Sequence, residues 1–280
     1  MSTAPRDVFI PVNDLRLHVV DWGGTGRAVV IHHATGFHAR VYDAIARRLV
    51  RHFRVVALDA RGHGDSDKPI DGYRWQGFVG DLAGLVEALE LRGAIGVGHS
   101  LGGSTVAGVA SRHPGTFSRA VLLDPILIPR EFRNPAREGN PMAEAARRRR
   151  DTWPDVETVI ASYAARPLFA SWRPEVLRSY VEHGFEPTAE GEIRLKCRPE
   201  IEAKVFSMGT DLIGMDMISG ITVPTLVVRG EHSETFSERD AQGTVTSLRD
   251  GRVAVVPDTG HLFPMEAPEK VADLIEGFAA

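Results

Sequence analysis

The sequence predicts an α/β fold: a mostly parallel central sheet flanked by helices, with an inserted helical cap. Three observations lead there. Runs of β-branched and aliphatic residues recur at 15–20, 28–34, 53–60, 94–99, 119–124, 225–230 and 251–257. From residue 28 onward, helical patterns separate them, and strands alternating with helices imply crossover connections and a parallel sheet. One run, "AIGVGH", passes directly into a glycine cluster that holds a single serine, Ser100.

The strand runs are near-continuously apolar, which suits burial on both faces. The first two, 15–20 and 28–34, have no helix between them and are expected to pair as an antiparallel hairpin at one edge. "YDAIARRLV" (42–50) and "FVGDLAGLVEALEL" (78–91) place apolar residues three and four apart, the helical period. "LGGSTVAGVASRHP" continues as a helix after Ser100, and "PEKVADLIEGFAA" (268–280) ends the chain as an amphipathic helix. Between Asp124 and Thr225 the strand rhythm stops. Four stretches rich in Arg, Pro and Glu each look able to form a short helix. The organisation expected is one core domain from residues 1–127 and 219–280, interrupted by a cap at 128–218.

With 33 basic and 37 acidic side chains, the net charge of −4 gives no electrostatic case for nucleic acid or an anionic membrane as partner. No run of about 18 apolar residues is present, and the N-terminus lacks a basic segment followed by a long apolar one, so a cytoplasmic protein is expected. Cys197 is the single cysteine; it rules out an internal disulfide and is read as a bystander. Arg147 to Arg150 form a basic run that is read as a solvated helix face between Glu144 and Asp151.

Gly98-His99-Ser100-Leu101-Gly102 matches G-x-S-x-G with a strand before it and a helix after it. That context describes a sharp turn raising a nucleophilic hydroxyl above the sheet. A serine needs a base to take its proton. His261, between the last strand and the final helix, lies at the same sheet edge and is the candidate. A tetrahedral oxyanion needs two N–H donors. One is expected from Leu101, the residue after the nucleophile, and one from Ala34 in the loop after "VVIHH". His32 and His33 also raise a metal reading, but neighbours on a strand face opposite ways, and no metal site is expected.

The motifs "IHHATGF", "DARGHGDSDKP" (59–69), "GHSLGG", "PTLVVRGEH" (224–232) and "DTGHLFPMEAPEKV" (258–271) follow one another across almost the whole chain. In that order they resemble the α/β-hydrolase fold family. The resemblance implies a Ser–His–acid triad and a helical cap after the strand that ends at Asp124. It also implies that "RGHGDS", with Asp59 and Arg61, orders a loop rather than reacting. The family usually places its acid three residues beyond the glycine that ends the penultimate strand. That position here is Ser233, which carries no carboxylate. Asp124, at the end of "VLLD", is the first candidate for the acid and Glu234 the alternative.

The function expected is hydrolysis of a small-molecule ester or lactone through an acyl-enzyme, with no cofactor. Carbon–carbon hydrolysis of dienoic keto acids by the same triad is the runner-up, and a non-catalytic ligand-binding homologue the third reading. The runner-up calls for an arginine in the pocket, with Arg61, Arg166, Arg173 and Arg229 available. Trp153, Tyr163 and Trp172 of the expected cap are the candidates for substrate binding, with Phe169, Tyr180 and Phe185 as further aromatic lining.

Overall fold

The computed structural model describes residues 4–127, 139–208 and 215–280. Residues 128–138 and 209–214 of the expected cap lie outside the described residues. An eight-stranded sheet runs in the order β1-β2-β4-β3-β5-β6-β10-β11. Its strands are β1 (Arg6–Val12), β2 (Leu15–Gly23), β3 (Ala28–His32), β4 (Arg54–Leu58), β5 (Ala94–His99), β6 (Phe117–Leu123), β10 (Thr225–Gly230) and β11 (Gly251–Val256). From β4 to β11 every neighbour is parallel.

The edge departs from the expected hairpin. β2 pairs antiparallel with β1 on one side and with β4 on the other, and β3 lies inside the sheet between β4 and β5. The missed strand, β1, carries Pro11 and alternates exposed with half-buried residues, as an edge strand does. Gly24–Arg27 carries the chain past one strand position, roughly 10 Å between strand axes. Gly24 and Gly26 adopt positive φ there, which glycine tolerates.

Successive strand residues feed opposite faces, as the two-residue period requires. Val29, Ile31, Val55 and Val97 pack with α1 (Asp43–Leu49) and the C-terminal α12 (Pro268–Ala279). Val30, Val56, Ala120 and Leu122 pack with α2 (Trp75–Ala88) and α3 (Leu101–Arg112). A 3₁₀ turn, Ala39–Tyr42, precedes α1. Helix α10 (Glu238–Ser247) bridges β10 and β11, and its N-terminus is closed by a capping box between Ser237 and Asp240.

Between β6 and β10 the described chain forms α4 (Pro141–Arg147), α5 (Val156–Ala164), α6 (Pro167–Ala170), α7 (Pro174–Gly184), α8 (Pro199–Phe206) and α9 (Met215–Ile218). It also forms a small antiparallel sheet, β7-β9-β8, from Thr152–Trp153, Ile193–Leu195 and Phe185–Pro187. Strands of two or three residues carry too few positions to show an alternating pattern, so the sequence reads only helices here. Trp153, Tyr163, Phe169, Trp172, Tyr180 and Phe185 of this segment join the core on the α1/α12 side of the sheet. Among the described residues no helix is long and apolar enough to cross a membrane. The last short helix, α11 (Phe263–Glu266), follows directly on His261.

Candidate active site

Ser100 occupies φ 55°, ψ −114°, a conformation that costs a non-glycine residue strain. Interlocking backbone contacts hold it there. The Ser100 N–H donates to the Leu123 carbonyl at 2.9 Å, and the Ser100 carbonyl accepts from Ser104 N at 3.1 Å. The flanking glycines are needed for space. A Cβ on Gly98 would lie 2.1 Å from the Gly102 carbonyl oxygen, and one on Gly102 would lie 2.1 Å from that of His32. The elbow, α3 and the loop after β3 are therefore packed backbone against backbone.

His261 arrives from the loop after β11. Its Nε2 lies 3.1 Å from Ser100 Oγ. Its Nδ1 lies 3.3 Å from Asp124 Oδ2, an ion-pair distance with neither Asp124 oxygen in an aligned hydrogen bond. Asp124 is fully buried at the end of β6, at positive φ, with its N–H donating to the Val228 carbonyl at 2.8 Å. The structure thus brings Ser100, His261 and Asp124 into one row. Glu234 does not join it: the side chain is exposed and has no hydrogen bond or ion pair to a described residue. Ser233, at the usual acid position, is buried, and its Oγ accepts from the N–H groups of Thr235 and Phe236 at 3.3 Å. A hydroxyl thus closes that turn at the position where the resemblance implied a carboxylate.

A second histidine supports the first. His99 Nε2–H donates to the His261 carbonyl at 2.9 Å, and Tyr42 O–H donates to His99 Nδ1 at 3.0 Å. Burial holds His99 well below the usual histidine range, so the ring is neutral and this donor pattern is fixed. Burial also pushes the Tyr42 hydroxyl up.

Ala34 lies on the cavity wall beside Ser100, and Leu101 begins α3, where the first-turn N–H groups have no partner within the helix. His32 Nδ1–H donates to the His33 carbonyl at 3.0 Å. That carbonyl shares a peptide plane with the Ala34 N–H, so the ring orients that amide. His33 Nδ1–H donates to the Ala34 carbonyl at 2.7 Å, while its Nε2 accepts from Ala60 N at 2.9 Å. Both histidines serve the backbone of this loop. Asp59 ties the neighbouring loop: it accepts from His18 Nδ1 and Ala39 N at 2.7 Å and from Asp65 N at 2.8 Å. Arg61 pairs with Asp81 at 2.7 Å, away from the cavity.

Ser100 and His261 open into a cavity of about 780 Å³ beneath the inserted segment. Its apolar wall includes Phe37, Met142, Leu168, Phe169, Phe206 and Leu262. Of the three aromatic residues expected to bind substrate, Tyr163 lines it. Trp153 and Trp172 do not, which corrects the expectation. Trp153 meets Tyr163 edge-on at 5.9 Å from behind, and Trp172 backs Phe169 and Phe37 at 4.9 and 5.6 Å. Both are buried behind the rings they support. Phe169 and Tyr180 line the cavity, while Phe185 lies in the core.

The basic run departs from the expected solvated face at one position: Arg147, Arg148 and Arg150 are exposed, while Arg149 is half-buried. Arg148, Arg149 and Arg150 all line the cavity, joined by Arg166. α4 ends at Arg147, and of the three arginines that follow only Arg149 turns inward, its side chain 17% exposed, which helical periodicity alone does not reveal. Arg149 donates to Glu202 at 2.9 Å and to the Tyr163 and Tyr180 hydroxyls. Tyr180 O–H in turn reaches the Gly36 carbonyl at 3.3 Å, which links the inserted segment to the loop that carries Ala34. Of the other arginines weighed, Arg173 pairs with Glu269 at 3.3 Å, and Arg229 is buried against the Phe236 and Glu231 carbonyls. Cys197 is buried, and burial pushes its thiol up.

Comparison with known proteins bears on the family and the fold. The 2-(acetamidomethylene)succinate hydrolase of Mesorhizobium japonicum is 28% identical over 255 residues, 91% of this chain and 88% of that protein. A non-heme haloperoxidase of Rhodococcus erythropolis is 30% identical over 281 residues, 95% and 97% of the two chains. The crystal structure of E-2-(acetamidomethylene)succinate hydrolase superposes with a TM-score of 0.85 at 26% identity, covering 98% of this chain and 99% of that one. An enol-lactonase from Burkholderia xenovorans LB400 shares the fold at TM-score 0.75 and 22% identity, covering 97% and 99%. Residues 29–274 match the model of the alpha/beta hydrolase family, and the chain belongs to it.

Proposed function

We propose that this hydrolase cleaves a carboxylic ester or lactone through an acyl-enzyme on Ser100. The observation that carries the reading is the 3.1 Å approach of His261 Nε2 to Ser100 Oγ at the wall of a cavity large enough for a small-molecule substrate. Ser100 Oγ attacks the carbonyl carbon as His261 takes its proton. The amides of Leu101 and Ala34 hold the oxyanion. Asp124 keeps the imidazole in the tautomer with its proton on Nδ1 and stabilises the imidazolium; such contacts tighten when substrate binds. His261 then protonates the leaving oxygen, the acyl group stays on Ser100, and water activated by the same imidazole releases the acid. The segment between β6 and β10 acts as the cap that closes the substrate in.

Carbon–carbon hydrolysis of dienoic keto acids is the second reading, and the position of Arg166 on the cavity wall favours it. A binding module without turnover drew its support from the missing carboxylate at Ser233, and the 3.3 Å approach of Asp124 to His261 Nδ1 speaks against it. A fluorophosphonate probe together with p-nitrophenyl acetate tests the leading reading. Labelling confined to Ser100, with turnover that Ser100→Ala abolishes, is the expected result. A folded protein inert to both reagents overturns it.

A further inference from the structure

Four arginines and one carboxylate face the cavity among its described lining residues. The carboxylate, Glu202, is already committed to Arg149. Arg148 lies 3.9 Å from Glu144. Arg150 and Arg166 have no carboxylate partner among the described residues. They are nonetheless held in place. The Arg150 guanidinium sits 4.2 Å above the Trp153 ring, and its Nε–H donates to the Thr152 carbonyl at 2.8 Å. That of Arg166 sits 4.7 Å above the Tyr163 ring and donates to Ser162 Oγ at 3.4 Å. Those two rings meet edge-on at 5.9 Å, and both arginines, exposed to solvent, border the same cavity. A guanidinium stacked on a ring keeps its N–H edge free for a planar anion. Arginine meets a carboxylate through two parallel hydrogen bonds.

We propose that the substrate of Ser100 is an acyl compound carrying a carboxylate remote from the scissile carbonyl, which Arg150 and Arg166 hold at the cavity mouth while the apolar wall takes the chain between. The kinetic arm of this inference rests on the hydrolase reading; the binding arm does not. Both free cations would otherwise face water, and an anion placed between them gains from each.

The kinetic test compares the mono-p-nitrophenyl ester of suberic acid with its methyl ester, which differs by one charge. The wild type is expected to favour the acid at least tenfold in kcat/KM at low ionic strength, mainly through KM, with the advantage shrinking as salt is added. Arg150→Gln with Arg166→Gln should reduce that ratio to near one, Arg166→Lys should keep part of it, and Arg147→Gln, outside the cavity, should leave it intact. The binding arm titrates Ser100→Ala with monomethyl suberate and with dimethyl suberate by calorimetry. Selective binding of the acid without turnover by the wild type supports the anion site and sinks the hydrolase reading. Turnover of both esters with no charge preference overturns the anion site alone, as does a preference that survives in the double variant.

Discussion

His99 Nε2 donates to the backbone carbonyl of His261 at 2.9 Å, so the side chain before the nucleophile holds the backbone of the proposed base. Both ends of the proton-transfer pair are thereby set by neighbouring residues of one elbow. Displacing a reacting group by about 1 Å costs on the order of 10²-fold in rate. His99→Ala should lower kcat by roughly ten- to a hundredfold, with little change in KM. Tyr42→Phe, which removes only the donor to His99 Nδ1, should cost less. The two changes act through one imidazole, so the double variant should fall short of the product of the singles. Kinetics on the four forms measure this, and fully multiplicative losses would exclude the shared route.

The two carboxylates considered for the acid are separable by rate. Asp124 lies 3.3 Å from His261 Nδ1 and Glu234 is exposed. Asp124→Asn should reduce kcat by about 10⁴-fold, the scale seen when a triad aspartate becomes an amide. Glu234→Gln should stay within about threefold of wild type. Steady-state rates on one ester, with circular dichroism to confirm folding, test both.

Glycine replacements around the elbow should differ from one elsewhere. Gly98→Ala and Gly102→Ala each set a methyl group 2.1 Å from a backbone oxygen that cannot swing aside. Overpacking of this kind costs about 1–3 kcal/mol or more, and both variants should lose thermal stability and activity together. Gly277→Ala meets nothing within 4 Å inside α12. It should raise stability by about 1 kcal/mol through helix propensity. Melting curves distinguish the two classes.

Acid should weaken the fold well before the carboxylates titrate. Burial holds His32 and His38 down to about 4, against about 6.5 in the unfolded chain. Between those values the unfolded chain binds more protons, so stability falls as pH drops from 6.5 towards 4, by up to about 1.4 kcal/mol per pH unit for each such histidine. His18 runs the other way. Burial lowers its pKa, but Asp59 and Asp7 outweigh that and raise it, so its stabilisation is complete below 6.5 and is lost as pH rises through its folded pKa. The lowered group also includes His33, His63 and His99, and their direction dominates. Urea midpoints at pH 7.5 and pH 5 should show the loss. His38→Gln should flatten the slope while keeping a donor for the Tyr180 carbonyl, which His38 Nε2 meets at 3.0 Å. A slope unchanged by that substitution would rule His38 out as a contributor.

Periodicity and turn chemistry act over a few residues, so they are written locally. Strand 94–99, the glycines at 98 and 102, and the helix after Ser100 were legible for that reason, as was the position of His261 after the last strand. Which carboxylate meets His261 was legible only as a preference: Asp124, at the end of one strand, ranked ahead of Glu234, in the loop after another, and only the packing of β6 beside β10 buries the first and leaves the second in water. The register at the edge, where β2 chooses β4 over β3, depends in the same way on neighbours distant in sequence. Arg149 and Trp153 make the point for the cavity. A run of charges reads as solvated and an aromatic residue as a wall, until the turn after α4 brings Arg149 against Glu202, Tyr163 and Tyr180 and Tyr163, not Trp153, takes the cavity surface. Sequence alone determined most of the core elements and the bend at Ser100, because sterics are short-ranged. Tertiary structure decided which carboxylate lies beside His261 and which arginines border the cavity, because burial and pairing are properties of what the folded chain brings alongside.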